Sequence, residues 1–176
     1  MATTTMPGGK STVTPYVAAK GAATFLDFVE QAFDTDTALR VLNQDGTIGH
    51  AEVRIGDSVI MAFDAQPDWP DTPSFLSVYV DDVDAVVARA LAAGAVIVTE
   101  VTTSRIVGDR GGRIQDPVGN IWWIQTHLED IDEATMRELF ADPEEAATMQ
   151  RLQDSFAAEM RRRADASTPF RADHDS

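Results

Sequence analysis

Gly108-Asp109-Arg110-Gly111-Gly112-Arg113-Ile114-Gln115-Asp116-Pro117-Val118-Gly119-Asn120-Ile121-Trp122 is the stretch on which the fold turns. Asp116-Pro117-Val118-Gly119 has the composition of a tight turn, with proline fixing one φ and glycine free to adopt another. Strands are predicted on both sides of it, roughly Arg105 to Gln115 with a glycine-rich interruption and Asn120 to His127. Working toward the N-terminus, a strand over Val96 to Val101 follows a helix over Val83 to Ala93 that stops at Gly94. That helix carries Val83, Val86, Val87, Ala90 and Leu91 on one face. A strand over Phe75 to Val80 precedes it, so the order is β, α, β, β, β.

The same order occurs once more upstream. A strand over Val13 to Ala18 leads to a helix over Ala22 to Phe33, whose Phe25, Phe28, Val29, Ala32 and Phe33 recur at helical spacing. Strands over Thr37 to Leu42, Gly49 to Ile55 and Ser58 to Phe63 follow, the last two joined by a tight Gly56-Asp57 turn. An element order met twice is a strong fold signal, because each half alone leaves a sheet face unsatisfied. The expected class is α+β: paired βαβββ modules at 12–66 and 74–129, joined by a proline-rich linker at 67–73. A helical extension is expected at 130–165, with disordered ends at 1–11 and 166–176. In the extension, Asp142-Pro143-Glu144-Glu145 reads as an N-cap and acidic first turn. Met149, Leu152, Phe156 and Met160 then form a stripe that packs on the body or on another subunit.

Four segments carry a family resemblance: Thr14 to Val17, Ile48 to Met61, Tyr79 to Asp84 and Gly108 to Trp122. They resemble the glyoxalase, bleomycin-resistance and dioxygenase (vicinal oxygen chelate) superfamily, particularly its PhnB-like branch. The resemblance implies a glyoxalase-like fold of paired modules, a homodimer, and chemistry ranging from metal-assisted isomerisation through ring cleavage to binding without catalysis. It also implies metal-ligand positions at Thr14, Met61, Phe75 and Trp123, where none of the residues present suits a divalent cation. Acidic members that trap basic drugs lend weight to sequestration of an antibiotic.

The rest of the composition narrows the field. With no cysteine, disulfides, thiolate zinc sites and a nucleophilic thiol are excluded. The formal charge of −15 opposes nucleic acid and anionic membrane surfaces and suits a cationic or neutral small ligand. The polar start, without an apolar h-region, and the lack of a bilayer-length apolar run lead us to expect an unexported cytoplasmic protein.

Strand alternation gives the candidate site. Tyr16, Met61, Phe63, Phe75, Tyr79, Trp123 and Gln125 are expected to face a cup, aromatic and apolar with few polar groups. The Gly56-Asp57 turn puts Glu52 opposite Met61 and His50 opposite Phe63. His50 and Glu52 are therefore the candidate catalytic pair, or the start of a replacement metal site completed by His127. Arg110 and Arg113 flank a glycine-rich bend that could swing over the cup and grip a carboxylate or phosphate. Two readings stay open at this level. One is a small-molecule binder with no cofactor; the other is a metal-dependent lyase, isomerase or ring-cleaving dioxygenase.

Overall fold

The computed structural model describes residues 10–167. The first module comprises β1 (Tyr16–Ala19), α1 (Ala22–Phe33), β2 (Thr37–Leu42), β3 (Ile48–Ile55) and β4 (Ser58–Asp64). The second comprises β5 (Phe75–Tyr79), α2 (Val83–Ala92), β6 (Val96–Ser104), β7 (Asp109–Gln115) and β8 (Ile121–His127), with α3 (Glu133–Ala141) and α4 (Pro143–Ser167) after it. Each module forms one four-stranded sheet, in the orders β1-β4-β3-β2 and β5-β8-β7-β6. The first and last strands of each module pair in parallel, and the remaining pairs are antiparallel. This is the expected α+β architecture of paired βαβββ modules with a C-terminal helix.

One core serves both modules. Phe25, Leu26, Phe28 and Val29 of α1 are buried with Val83, Val86, Val87 and Ala90 of α2 and with Trp122 and Ile124 of β8. Phe25, Phe28 and Phe33 reach across to Trp122, with ring centroids 6.2, 6.0 and 5.2 Å apart. Each sheet therefore turns one face to the helices, and its other face looks away from the core. The two helix starts are held by the strands beside them. Asp64 at the end of β4 accepts from Ala22 N at 2.7 Å, and Thr126 Oγ1 in β8 accepts from Val83 N at 2.9 Å.

Several boundaries differ from expectation, for local reasons. β1 begins at Tyr16, not Val13: Thr14 Oγ1 turns back to donate to the Ser11 carbonyl, and Pro15 has no N–H to give a ladder. Residues 105–108 form a turn, because Gly108 takes φ +71° and its carbonyl accepts from Leu128 N and Glu129 N. That turn is thus tied to the end of β8, while Gly111 and Gly112, the glycines between Arg110 and Arg113, continue strand β7 opposite Gln125 and Ile124. Asn120 stays out of β8, donating Nδ2 to the buried carboxylate of Asp116. In the extension, α3 forms its own helix, with Asp132 accepting from Thr135 N, before Pro143 starts α4. Lys10 donates to Glu52 and Ser11 to the Val13 carbonyl, whereas the expectations for 1–9 and 168–176 fall outside the described residues. Among the described residues no helix is long and apolar enough to cross a membrane.

Candidate functional site

The hairpin register has the form read from its turn: Glu52 pairs with Met61, and Ala51 with Ala62. Because Ala51, Val53, Ile60 and Ala62 are buried against the helices, alternation leaves His50, Glu52, Met61 and Phe63 on the open face. Tyr16, paired with Met61, joins them from β1. Tyr16 and Phe63 meet edge to face at 5.0 Å, and Phe63 meets Trp69 in the same manner at 6.1 Å. Tyr16 is 50% exposed and Trp69 45% exposed, so this aromatic corner is uncovered. Sequence reading missed Trp69, which comes from the linker; a tryptophan in a proline-flanked segment that can join neither helix nor central strand was the available signal.

A hydrogen-bonded chain runs beside the corner. Tyr16 Oη lies 3.2 Å from His50 Nδ1, His50 Nε2 lies 3.1 Å from Glu52 Oε1, and Lys10 Nζ donates to the same oxygen at 2.6 Å. The Lys10 ammonium, and then the His50 ring, lower the Glu52 pKa and keep it ionised. An ionised carboxylate can only accept, so His50 Nε2 carries the proton, and in the neutral ring Nδ1 accepts from Tyr16.

The second sheet carries a different arrangement. Tyr79 Oη donates to Asp109 Oδ2 at 3.0 Å, and the two nitrogens of His127 face Asp109 Oδ1 at 2.8 Å and Asp130 Oδ1 at 3.1 Å. Asp109 first, and Asp130 second, raise the His127 pKa above 6.5, and Asp109 raises that of Tyr79. Gln125 Nε2 donates to Ser77 Oγ at 3.0 Å. Phe75 stacks on Phe156 of α4 at 5.3 Å, and Arg113 lies over Trp123 at 4.5 Å. Helix α4 thus lies across this open face, with Ser155 Oγ 2.8 Å from Thr99 Oγ1 and the Leu152 carbonyl accepting from Arg113. Met160, the last residue of the stripe, is partly exposed.

The predicted residues divide accordingly. Tyr16, His50, Glu52, Met61 and Phe63 converge on the first sheet; Phe75, Tyr79, Arg113, Trp123 and Gln125 belong to the second. Arg110 departs from its expected place. It pairs with Thr126 on the helix side of the sheet and forks onto Asp84 of α2, through Nε at 2.7 Å and Nη2 at 2.8 Å. His127 is held by its own carboxylates, and no group of three or more His, Cys, Asp or Glu side chains among the described residues is arranged to hold a metal ion. The fallback set of His50, Glu52 and His127 is therefore not assembled. The family's metal positions do not fit a divalent ion either: Thr14 spends its hydroxyl on Ser11, while Met61, Phe75 and Trp123 offer no hard oxygen or imidazole.

Comparison with known proteins places this geometry. The model of the Glyoxalase/Bleomycin resistance protein/Dioxygenase superfamily matches residues 13–124. An uncharacterized protein of Mycobacterium bovis is 32% identical over 131 residues, covering 68% of this chain and 86% of its own. Among solved structures, TioX from Micromonospora sp. ML1 is 24% identical with a TM-score of 0.55, covering 69% of this chain and 100% of its own. The PhnB protein from Bacillus cereus is 17% identical at 0.52, covering 66% and 99%. TnmS3, an antibiotic binding protein from Streptomyces sp. CB03234, is 21% identical at 0.51, covering 64% and 91%. Helices α3 and α4 lie beyond the matched family region. By the extent of that match and the paired modules that carry it, the chain belongs to the glyoxalase/bleomycin resistance protein/dioxygenase superfamily.

Proposed function

We propose that the protein binds small hydrophobic or cationic organic molecules, antibiotics among them, on the open face of the first sheet, in the cytoplasm and without a divalent metal. The observation that carries this reading is the uncovered Tyr16, Phe63 and Trp69 corner beside the ionised Glu52. Aromatic faces attract cations through their quadrupoles, and a nearby carboxylate adds direct attraction. The chain's charge of −15 works in the same direction at longer range. A ligand cation would take the place of the Lys10 ammonium, which reaches Glu52 from outside the sheet. The antibiotic-binding description of TnmS3 supports the ligand class.

The open face forms one wall of a cup, and Leu39, Val41 and Leu42 of β2 are exposed. A second copy of the chain would supply the other wall, so a homodimer is part of the proposal. Tryptophan fluorescence, titrated in the presence of chelator with a panel of hydrophobic cations, neutral drugs and acids, tests the reading. Saturable quenching by cations that is lost in Trp69→Phe is expected; no response to any compound would contradict it.

A second reading rests on the Tyr16, His50 and Glu52 chain, a proton path from phenol through imidazole to carboxylate. It makes the protein a lyase, isomerase or ring-cleaving dioxygenase. Metal analysis of protein purified without chelator separates the two: stoichiometric metal that disappears in His50→Ala favours the enzyme.

A further inference from the structure

Arg113 stands apart from the other charges of the second sheet. Its guanidinium carbon is 4.5 Å from the Trp123 ring centroid and 5.1 Å from that of Phe156. Nη1 donates to the Leu152 carbonyl at 3.0 Å and more distantly to Thr99 Oγ1 at 3.4 Å. Nε is buried with no hydrogen-bond partner. No carboxylate among the described residues pairs with it, and burial alone acts on its pKa, lowering it. Asp109, the acid that lines the same cavity, has one oxygen engaged by His127 and the other by Tyr79. An unpaired cation under a helix is a costly arrangement, since desolvation is not offset by an anion.

The helix that covers it is held by polar contacts near its two ends, Glu145 accepting from Arg105 N and Arg162 and Arg163 donating to Gln115 and the Gly119 carbonyl, rather than by apolar burial. None of the apolar side chains of α4 is among the buried core, and its buried residues, Glu145 and Thr148, are polar and near its start. The cavity left between α4 and the sheet is about 30 Å³, room for a single water. What α4 gives Arg113 is an aromatic ring, from Phe156, and a neutral oxygen acceptor, from Leu152. What it does not give is a negative charge.

We propose that the face beneath α4 is a second ligand site, selective for planar aromatic carboxylates, in which the carboxylate pairs with Arg113 and the ring takes the place of Phe156. A carboxylate accepts from Nε and an Nη together, the two-donor fork that a lone carbonyl cannot satisfy. The ring then stacks where Phe156 meets Phe75, and α4 lifts from the Asp142-Pro143 junction to admit it. This site is independent of the first sheet and prefers the opposite ligand charge.

The test uses the full-length protein with benzoate as probe and benzamidine and benzyl alcohol as cationic and neutral controls. Binding is followed through the Trp123 indole N–H and Arg113 Nε–H resonances and by calorimetry. We expect saturable shifts of both resonances with benzoate and neither control. Phe156→Ala should tighten benzoate binding at least threefold, and Arg113→Gln should weaken it at least tenfold. Thermal melts check that each variant is folded; should Arg113→Gln not fold, Arg113→Lys keeps the charge without the fork and should lose at least threefold. No saturable shift in either the unmodified chain or Phe156→Ala, equal binding by benzyl alcohol, or undiminished binding in the Arg113 variants would overturn the proposal. Any of these results leaves Glu52-dependent binding of cations on the first sheet untouched, so the two readings fail separately.

Discussion

Trp122 and Trp123 are adjacent in sequence and serve opposite faces of one strand. Trp122 is buried among Phe25, Phe28 and Phe33 and donates Nε1–H to Asp116 Oδ2 at 3.0 Å. Truncation to alanine removes that packing and leaves the carboxylate short of a donor, and we expect Trp122→Ala to cost about 3–5 kcal/mol by urea denaturation. His127 makes a pH-dependent contribution. Its folded-state pKa is raised, chiefly by Asp109 and then by Asp130, so its stabilisation is complete below the unfolded value of 6.5 and is lost as pH rises through the folded value. The denaturation midpoint should therefore decline on going from about pH 6 to about pH 8, and His127→Gln should flatten that decline. The open-face positions of Glu52, Met61 and Trp123 were legible because alternation is rigid once a tight turn sets the register. Arg110 was not: Gly111-Gly112 reads as a bend but continues the strand, so alternation turns Arg110 to the face opposite Arg113, where its partner Asp84 comes from a different element.

The helices differ in what holds them. Phe25, Leu26, Phe28, Val29 and Ala32 of α1 are buried, whereas α4 rests on its sheet through half-buried Leu152 and Phe156 and through polar contacts, among them Ser155 with Thr99, Glu145 with Arg105 N, and Arg163 with Gln115 and the Gly119 carbonyl. Local opening follows such differences, so amides of α4 between Met149 and Glu159 should exchange at least about tenfold faster than those of α1. Equal protection would show that α4 is part of the cooperative core. The bend before β7 gives a second expectation. A side chain at Gly108 would collide with the Glu129 carbonyl and would have to keep φ at +71°, so Gly108→Ala should destabilise by about 1–3 kcal/mol in the same denaturation assay. At this scale the modules were readable because each strand and helix carries its own period, and the hairpin turns separate them. The stripe on α4 announced a packing face. It did not say which surface receives it, because that depends on a sheet some 40 residues away and on which of its faces the other helices leave open.

For the whole molecule, the repeated element order foretold two sheets, and the shared core shows why neither module stands alone: Trp122 of the second module is enclosed by phenylalanines of the first. The consequence is that both open faces look away from the core, and they carry opposite chemistry. Glu52 pairs with Met61 on one, and Arg113 with Trp123 on the other, at corresponding places in the two hairpins. The first face is the one the proposed function depends on, and Lys10→Ala, which frees Glu52 of its internal cation, should strengthen binding of cationic ligands severalfold in the fluorescence titration. Sedimentation equilibrium should give twice the chain mass, and a monomer at all concentrations would remove the dimer from the account. The most direct measurement is calorimetric titration of the full chain, in chelator, with the best hydrophobic cation from the panel, comparing the unmodified protein with Glu52→Gln. Saturable binding without metal that weakens about tenfold on losing the carboxylate is the expected result, one charge-assisted contact's worth; binding that requires an added divalent ion, or that Glu52→Gln leaves unchanged, would contradict it.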